Sequence, residues 1–146
     1  MIPKEKEILV DLVESIRVDV IDSLKKHGRY ASGKTEENTT VVEVENKIEL
    51  QAPFYVTLLE TGRPPTSPDA QPGNPTLFEA IKEWIAAKGL DLNPFAVTKK
   101  IHDKGFLGIP GVLSDPLSES NINKRVDEAA GSLASLLIWD TLKIKI

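Results

Sequence analysis

The side chains able to do chemistry in this chain of 146 residues are few. There are two histidines, His27 and His102, and no cysteine. That excludes thiolate nucleophiles, disulfides and cysteine metal sites. A zinc site would need carboxylates gathered around two distant histidines. Carboxylates, serines and lysines remain, and many hydrolases need nothing more. The spacings Gly-x-Gly-x-x-Gly, Gly-x-Ser-x-Gly and His-Glu-x-x-His do not occur. Ser32-Gly33-Lys34-Thr35 contains Gly-Lys-Thr, but helical patterning precedes it where a phosphate loop needs a strand. His27 falls in the last turn of that helix, where an imidazolium suits the dipole. The chain reads as no enzyme, with no catalytic, metal or cofactor residue assigned.

Four charged or apolar groups stand out instead. Glu60 and Arg63 flank Gly62 where a proline-rich stretch begins. They suit an ion pair that holds the root of the loop, or a partner contact shared with Pro64 and Pro65; both readings stand. Phe106, Leu107 and Ile109 sit among glycines, which places them either in the core or against a partner. Lys99, Lys100, His102 and Lys104 form the one dense basic cluster, a solvated helix face or a weak nucleic-acid contact. Thr35 to Glu60 carries six acidic residues and one lysine, a local charge of −5 in a chain of net −4. Glu43, Glu45 and Glu49 are read as the polar face of a hairpin: a solvated face, a surface kept off a polyanion, or a mating face for a basic partner.

The elements that must position these groups follow from periodicity. Leu9, Leu12, Val13, Ile16, Val20 and Leu24 recur at helical spacing and predict a helix over 4–27, capped by Gly28. Residues 29–38 are polar and read as a mobile loop. Alternation over 39–52 predicts a β-hairpin. Its even-numbered residues share a face only if Val44 opposes Ile48 across an odd turn through Glu45-Asn46-Lys47. Phe54 to Glu60 reads as a helical turn or a bent continuation of the sheet. Residues 61–75 hold five of the ten prolines and form a long loop. Asn74-Pro75 and Asn93-Pro94 each start one helix of a pair over 76–104. Phe106 to Leu117 reads as an extended segment or a third strand ending at Pro116. Ile122, Val126, Ala129, Leu133, Leu136 and Leu137 predict a helix over 120–138.

Together these make one α+β domain, a small antiparallel sheet with long amino- and carboxy-terminal helices packed on it and an inserted helical pair. With 40% apolar and 27% charged residues it has the composition of an ordinary globular domain. No apolar run reaches the ~18 residues of a membrane span, and the amino terminus does not read as a signal peptide.

The stretch Pro53-Phe54-Tyr55-Val56-Thr57-Leu58-Leu59-Glu60-Thr61-Gly62-Arg63-Pro64-Pro65 resembles a segment of small virion proteins of tailed double-stranded DNA phages. These are the head–tail connector, neck and tail-completion proteins, with their pattern apolar–Tyr–x–x–x–(Leu/Ile)–Glu–x–Gly. Ile109 to Leu117 resembles that family's second, proline-containing segment, and the stretch from Leu77 to Gly111 is similar to an insertion in some members. The flanking helices match in order. The usual Pro-Thr-Gly-Leu after the first helix is replaced by Tyr30-Ala31-Ser32-Gly33-Lys34.

The resemblance implies a structural virion protein without enzymatic activity. It implies a ring of about six or twelve copies around the DNA channel, a closed homo-oligomer. Neighbours would be portal, connector or tail-tube proteins, and DNA would pass nearby without specific binding. The place would be the virion neck or tail, with the host cytoplasm during assembly, and no membrane. Tyr55, Leu59, Glu60, Gly62, Arg63, Pro64, Pro65, Phe106, Leu107 and Ile109 become interface residues. Glu43, Glu45 and Glu49 become channel-facing. A stand-alone nucleic-acid-binding module, built on Arg63 and Lys99 to Lys104, or a small hydrolase is the alternative.

Overall fold

The computed structural model describes residues 3–30, 33–53 and 55–145, with side chains described to residue 135. The order is α1 (Pro3–Lys26), α2 (Lys34–Asn38), β1 (Thr40–Val44), β2 (Lys47–Gln51), α3 (Val56–Thr61), α4 (Leu77–Lys88), α5 (Pro94–Lys104) and α6 (Glu119–Lys145). This is an α+β fold with one two-stranded antiparallel sheet.

The long α1 is the spine, and the sheet and α6 both pack on it. Its apolar stripe is graded. Val20, Ile21 and Leu24 are buried, while Leu9, Leu12, Val13 and Ile16 are half-buried. The helix ends as patterning predicts: Arg29 N–H donates to Leu24 O and Gly28 N–H to Lys25 O, which satisfies two end carbonyls. The core is small. Ile21 and Leu24 meet Val112, with Tyr30, Leu59, Ile109 and Leu113 around them.

Two expectations about the sheet region are corrected. Residues 34–38 form the short helix α2 rather than a mobile loop. Arg17 holds it from the side: its guanidinium donates to Glu36 O at 2.9 Å and to Thr39 O at 2.5 Å. The hairpin turn has two residues, Glu45 and Asn46, both with positive φ (48° and 66°). Val44 therefore pairs with Lys47, Glu43 with Ile48 and Val42 with Glu49. An even turn puts Val41, Glu43, Ile48 and Leu50 on one face and Val42, Val44 and Glu49 on the other. The hydrophobic pattern favours the odd register, but the left-handed geometry of the tight turn matches strand twist and wins.

The inserted pair forms as expected, with α4 packed on α5. Asn93 Oδ1 caps α5, accepting from Phe95 N–H at 2.9 Å. For α4 the cap is Thr76, not Asn74, with Glu79 N–H donating to Thr76 Oγ1 at 3.3 Å. The segment 106–117 is not a strand. It makes one bridge to Arg63 and then a run of turns over 110–117 that delivers Val112 to the core. At the carboxy-terminal end, α6 packs on α1 rather than on the sheet and continues to Lys145. The side chains of Leu136 and Leu137 lie outside the described residues.

Candidate partner interface

The resembling segment folds into a tight joint. Val56 is buried and anchors α3, and Gly62 ends it by donating to Leu58 O at 2.8 Å. Arg63 and Phe106 then exchange two backbone hydrogen bonds of 2.9 Å, and Ile109 N–H donates to Leu59 O at 2.9 Å. Backbones approach so closely that a Cβ on Gly108 would stand 1.9 Å from Glu60 O, and one on Gly62 2.7 Å from Gly108 N. Only glycine fits this crossing.

Glu60 does not pair with Arg63. Its Oε1 accepts from Ser114 N–H at 2.7 Å and Leu113 N–H at 3.0 Å. The Ser114 amide is the main reason its carboxyl lies below the ordinary 4.5. Arg63 instead reaches back to Ile101 O. The root of the proline loop is held by other groups: Thr66 N–H donates to His102 O at 2.8 Å, and Thr66 Oγ1 meets His102 Nδ1 at 2.7 Å. His102 is thereby a tether.

The remaining candidates divide. Ile109 and Leu59 pack against the core, and Phe106 is half-buried. Leu107 is 89% exposed, and Pro64, Pro65 and Tyr55 are exposed with it. The three glutamates do not share a face. Glu43 lies on the side toward α1 in an ion pair with Lys6, Glu45 is in the turn, and Glu49 is on the opposite face. Lys99, Lys100 and Lys104 are exposed on α5 and enter no ion pair among the described residues. No group of three or more metal-ligating side chains occurs among the described residues. Among these residues no helix is long and apolar enough to cross a membrane.

One cleft was not foreseen. It has a volume of ≈ 830 Å³ and lies between the end of α1, α2, the start of α3 and α4. Arg29, Tyr30, Tyr55, Leu59, Pro75 and Trp84 line it. Tyr30 OH donates to Glu36 Oε2 at 2.5 Å and Tyr55 OH meets Thr35 Oγ1 at 2.9 Å, so both rings are held. Arg29 Nε is buried with no hydrogen-bond partner among the described residues. Its aromatic residues come from three separate segments, so nothing in residue order groups them.

The same cleft touches Gly33, Lys34 and Thr35. With Gly28 these residues complete the Gly-x-x-x-x-Gly-Lys-Thr spacing of a phosphate loop, so the spacing is right and the context is wrong. A helix precedes the motif, α2 has only five residues, and Lys34 Nζ is held by Glu83 at 2.9 Å.

Comparison with family models, with curated proteins and with solved structures returned no match to this chain.

Proposed function

We propose that the chain is a structural subunit of a tailed-phage virion, a neck (head–tail connector) or tail-completion protein that assembles as a ring around the DNA channel. The observation that carries this reading is the set of large apolar side chains left in solvent among the described residues. Leu107 is 89% exposed beside the glycine joint and Phe95 is 70% exposed, and these are the side chains that subunit faces would take up.

The resembling segment supports the same reading. Its Glu60 and Gly62 are the residues that lock α3 to the 106–117 segment, and this leaves Leu107 projecting from a rigid joint. Net charge of −4 suits a wall past which DNA slides. Glu43 belongs to the α1 side, so the acid offered to a channel comes from Glu45 and Glu49.

The test is co-sedimentation with intact particles from the source, followed with an antibody in a density gradient. A band with full particles that survives high salt, at about six or twelve copies per particle, is the expected result. A protein confined to the soluble fraction would overturn the reading and turn attention to nucleic-acid binding by Lys99, Lys100 and Lys104.

A further inference from the structure

We propose that the aromatic cleft is the socket for the proline-rich loop tip of a second copy of this chain, with Asp69 of that copy meeting Arg29. The inference rests on the reading that the chain assembles with copies of itself, and it names the surfaces.

The tip is built to be inserted. Residues 67–72 are all exposed, while Gly73, Asn74 and Pro75 belong to the wall of the chain's own cleft. Ala70 N–H donates to Ser67 O at 3.0 Å, which closes a turn with Pro68 at its second position. Such a preformed turn loses little conformational freedom on binding. Asp69 is the one charged residue between Pro64 and Pro75 and stands at the turn. Proline-rich segments dock in grooves walled by aromatic rings. The cleft supplies Tyr30, Tyr55 and Trp84, and its volume of ≈ 830 Å³ lies in the range of ligand clefts.

Charge selects the occupant. Lys34 and Glu83, both in the lining, pair with each other, and Glu37 lines the cleft with them. Arg29 also lines the cleft and enters no ion pair among the described residues, so its guanidinium is the cation there that a carboxylate can meet. A nucleotide is the other anionic occupant suggested by Gly33-Lys34-Thr35. The Lys34–Glu83 ion pair and the missing strand favour the peptide.

The experiment uses the full chain with Trp139→Phe, so that Trp84 is the only tryptophan. A synthetic peptide of residues 63–73 is titrated while Trp84 emission is followed. Saturable binding in the range of about 0.1–1 mM is expected, weakened about ten-fold by Asp69→Lys in the peptide. No saturation by about 5 mM, or equal binding of both peptides, overturns the proposal. So does saturable binding of magnesium ATP that displaces the peptide. Chains with Asn38→Cys and Ala70→Cys, mixed and treated with a bis-maleimide, give the second readout, since the chain has no cysteine of its own. A cross-link between the two variants is expected. Sedimenting oligomers without that cross-link overturn the socket and leave the ring reading standing. A chain that never oligomerises or joins particles defeats the ring reading, while the peptide titration still decides the cleft.

Discussion

Asp19 on α1 and Arg125 on α6 are 106 residues apart in sequence and meet in a two-pronged ion pair. Arg125 Nε donates to Asp19 Oδ2 at 2.9 Å and Nη2 to Oδ1 at 2.6 Å. Asn121 Nδ2 adds a third bond to the same carboxylate at 2.9 Å. The Arg125 hydrogen bond is the main cause that holds the Asp19 carboxyl below its ordinary 3.8. This clamp fixes α6 on α1. Asp19→Asn and Arg125→Ala are each expected to lower Tm, and the double variant to lower it by less than the two effects added. Additive losses would show that the pair is not coupled.

Acid should loosen the fold through Asp19 and Glu60 together. Both carboxyls sit below their ordinary values of 3.8 and 4.5, so the folded chain holds its protons less tightly than the unfolded one. Their contribution is present above about pH 4.5 and is lost as pH falls through the folded values. Denaturant midpoints measured from pH 7 to pH 3 should fall steeply below that point. Glu60→Gln should flatten the fall and cost about 1–2 kcal/mol at pH 7, the scale of charge-assisted bonds near solvent.

Two glycine substitutions should have opposite signs. Gly108→Ala places a methyl 1.9 Å from Glu60 O and must push α3 off the 106–117 segment, at a cost of about 3 kcal/mol or more. Gly131 stands in α6 with nothing within 4 Å of its would-be Cβ. Gly131→Ala should stabilise by about 0.5–1 kcal/mol. Chemical denaturation of the two variants checks both.

The hairpin turn offers a test of register. Glu45 and Asn46 carry φ of 48° and 66°, a backbone that Asn-Gly adopts more easily. Glu45→Asn with Asn46→Gly should raise stability by about 0.5–1 kcal/mol. A loss would favour the odd turn that the hydrophobic pattern suggests.

Leu107→Ser should separate folding from assembly. The side chain is 89% exposed, so Tm should be unchanged within the error of the measurement. Incorporation into particles should fall. A lower Tm with normal incorporation would place Leu107 inside the fold rather than between subunits.

Much of the architecture was legible in residue order because its causes are local. The α1 stripe and its Gly28 ending, the Asn93 cap of α5 and the two-stranded hairpin each depend on residues within a turn or two. Helical and strand periods carry that information directly. The hairpin register failed because two local signals conflict there. Apolar alternation asks for an odd turn, and the positive φ of Glu45 and Asn46 delivers an even one. The short α2 failed because it has no apolar period; Arg17 holds it from outside.

What only the tertiary structure decided is which distant groups meet. Glu60 stands out in its motif, yet its partners are amides 53 and 54 residues away rather than Arg63 three residues on. Arg29, Tyr55 and Trp84 are unremarkable singly and form one cleft when α4 closes over the end of α1. Asp19 and Arg125 carry no mutual signal along the chain. Such pairings follow from packing, in which each side chain's environment is set by elements folded far from it in sequence. The sequence by itself determined the long helices, the helical pair and the two strands; the burial of Val112 against Ile21 and Leu24 determined what those elements bring together.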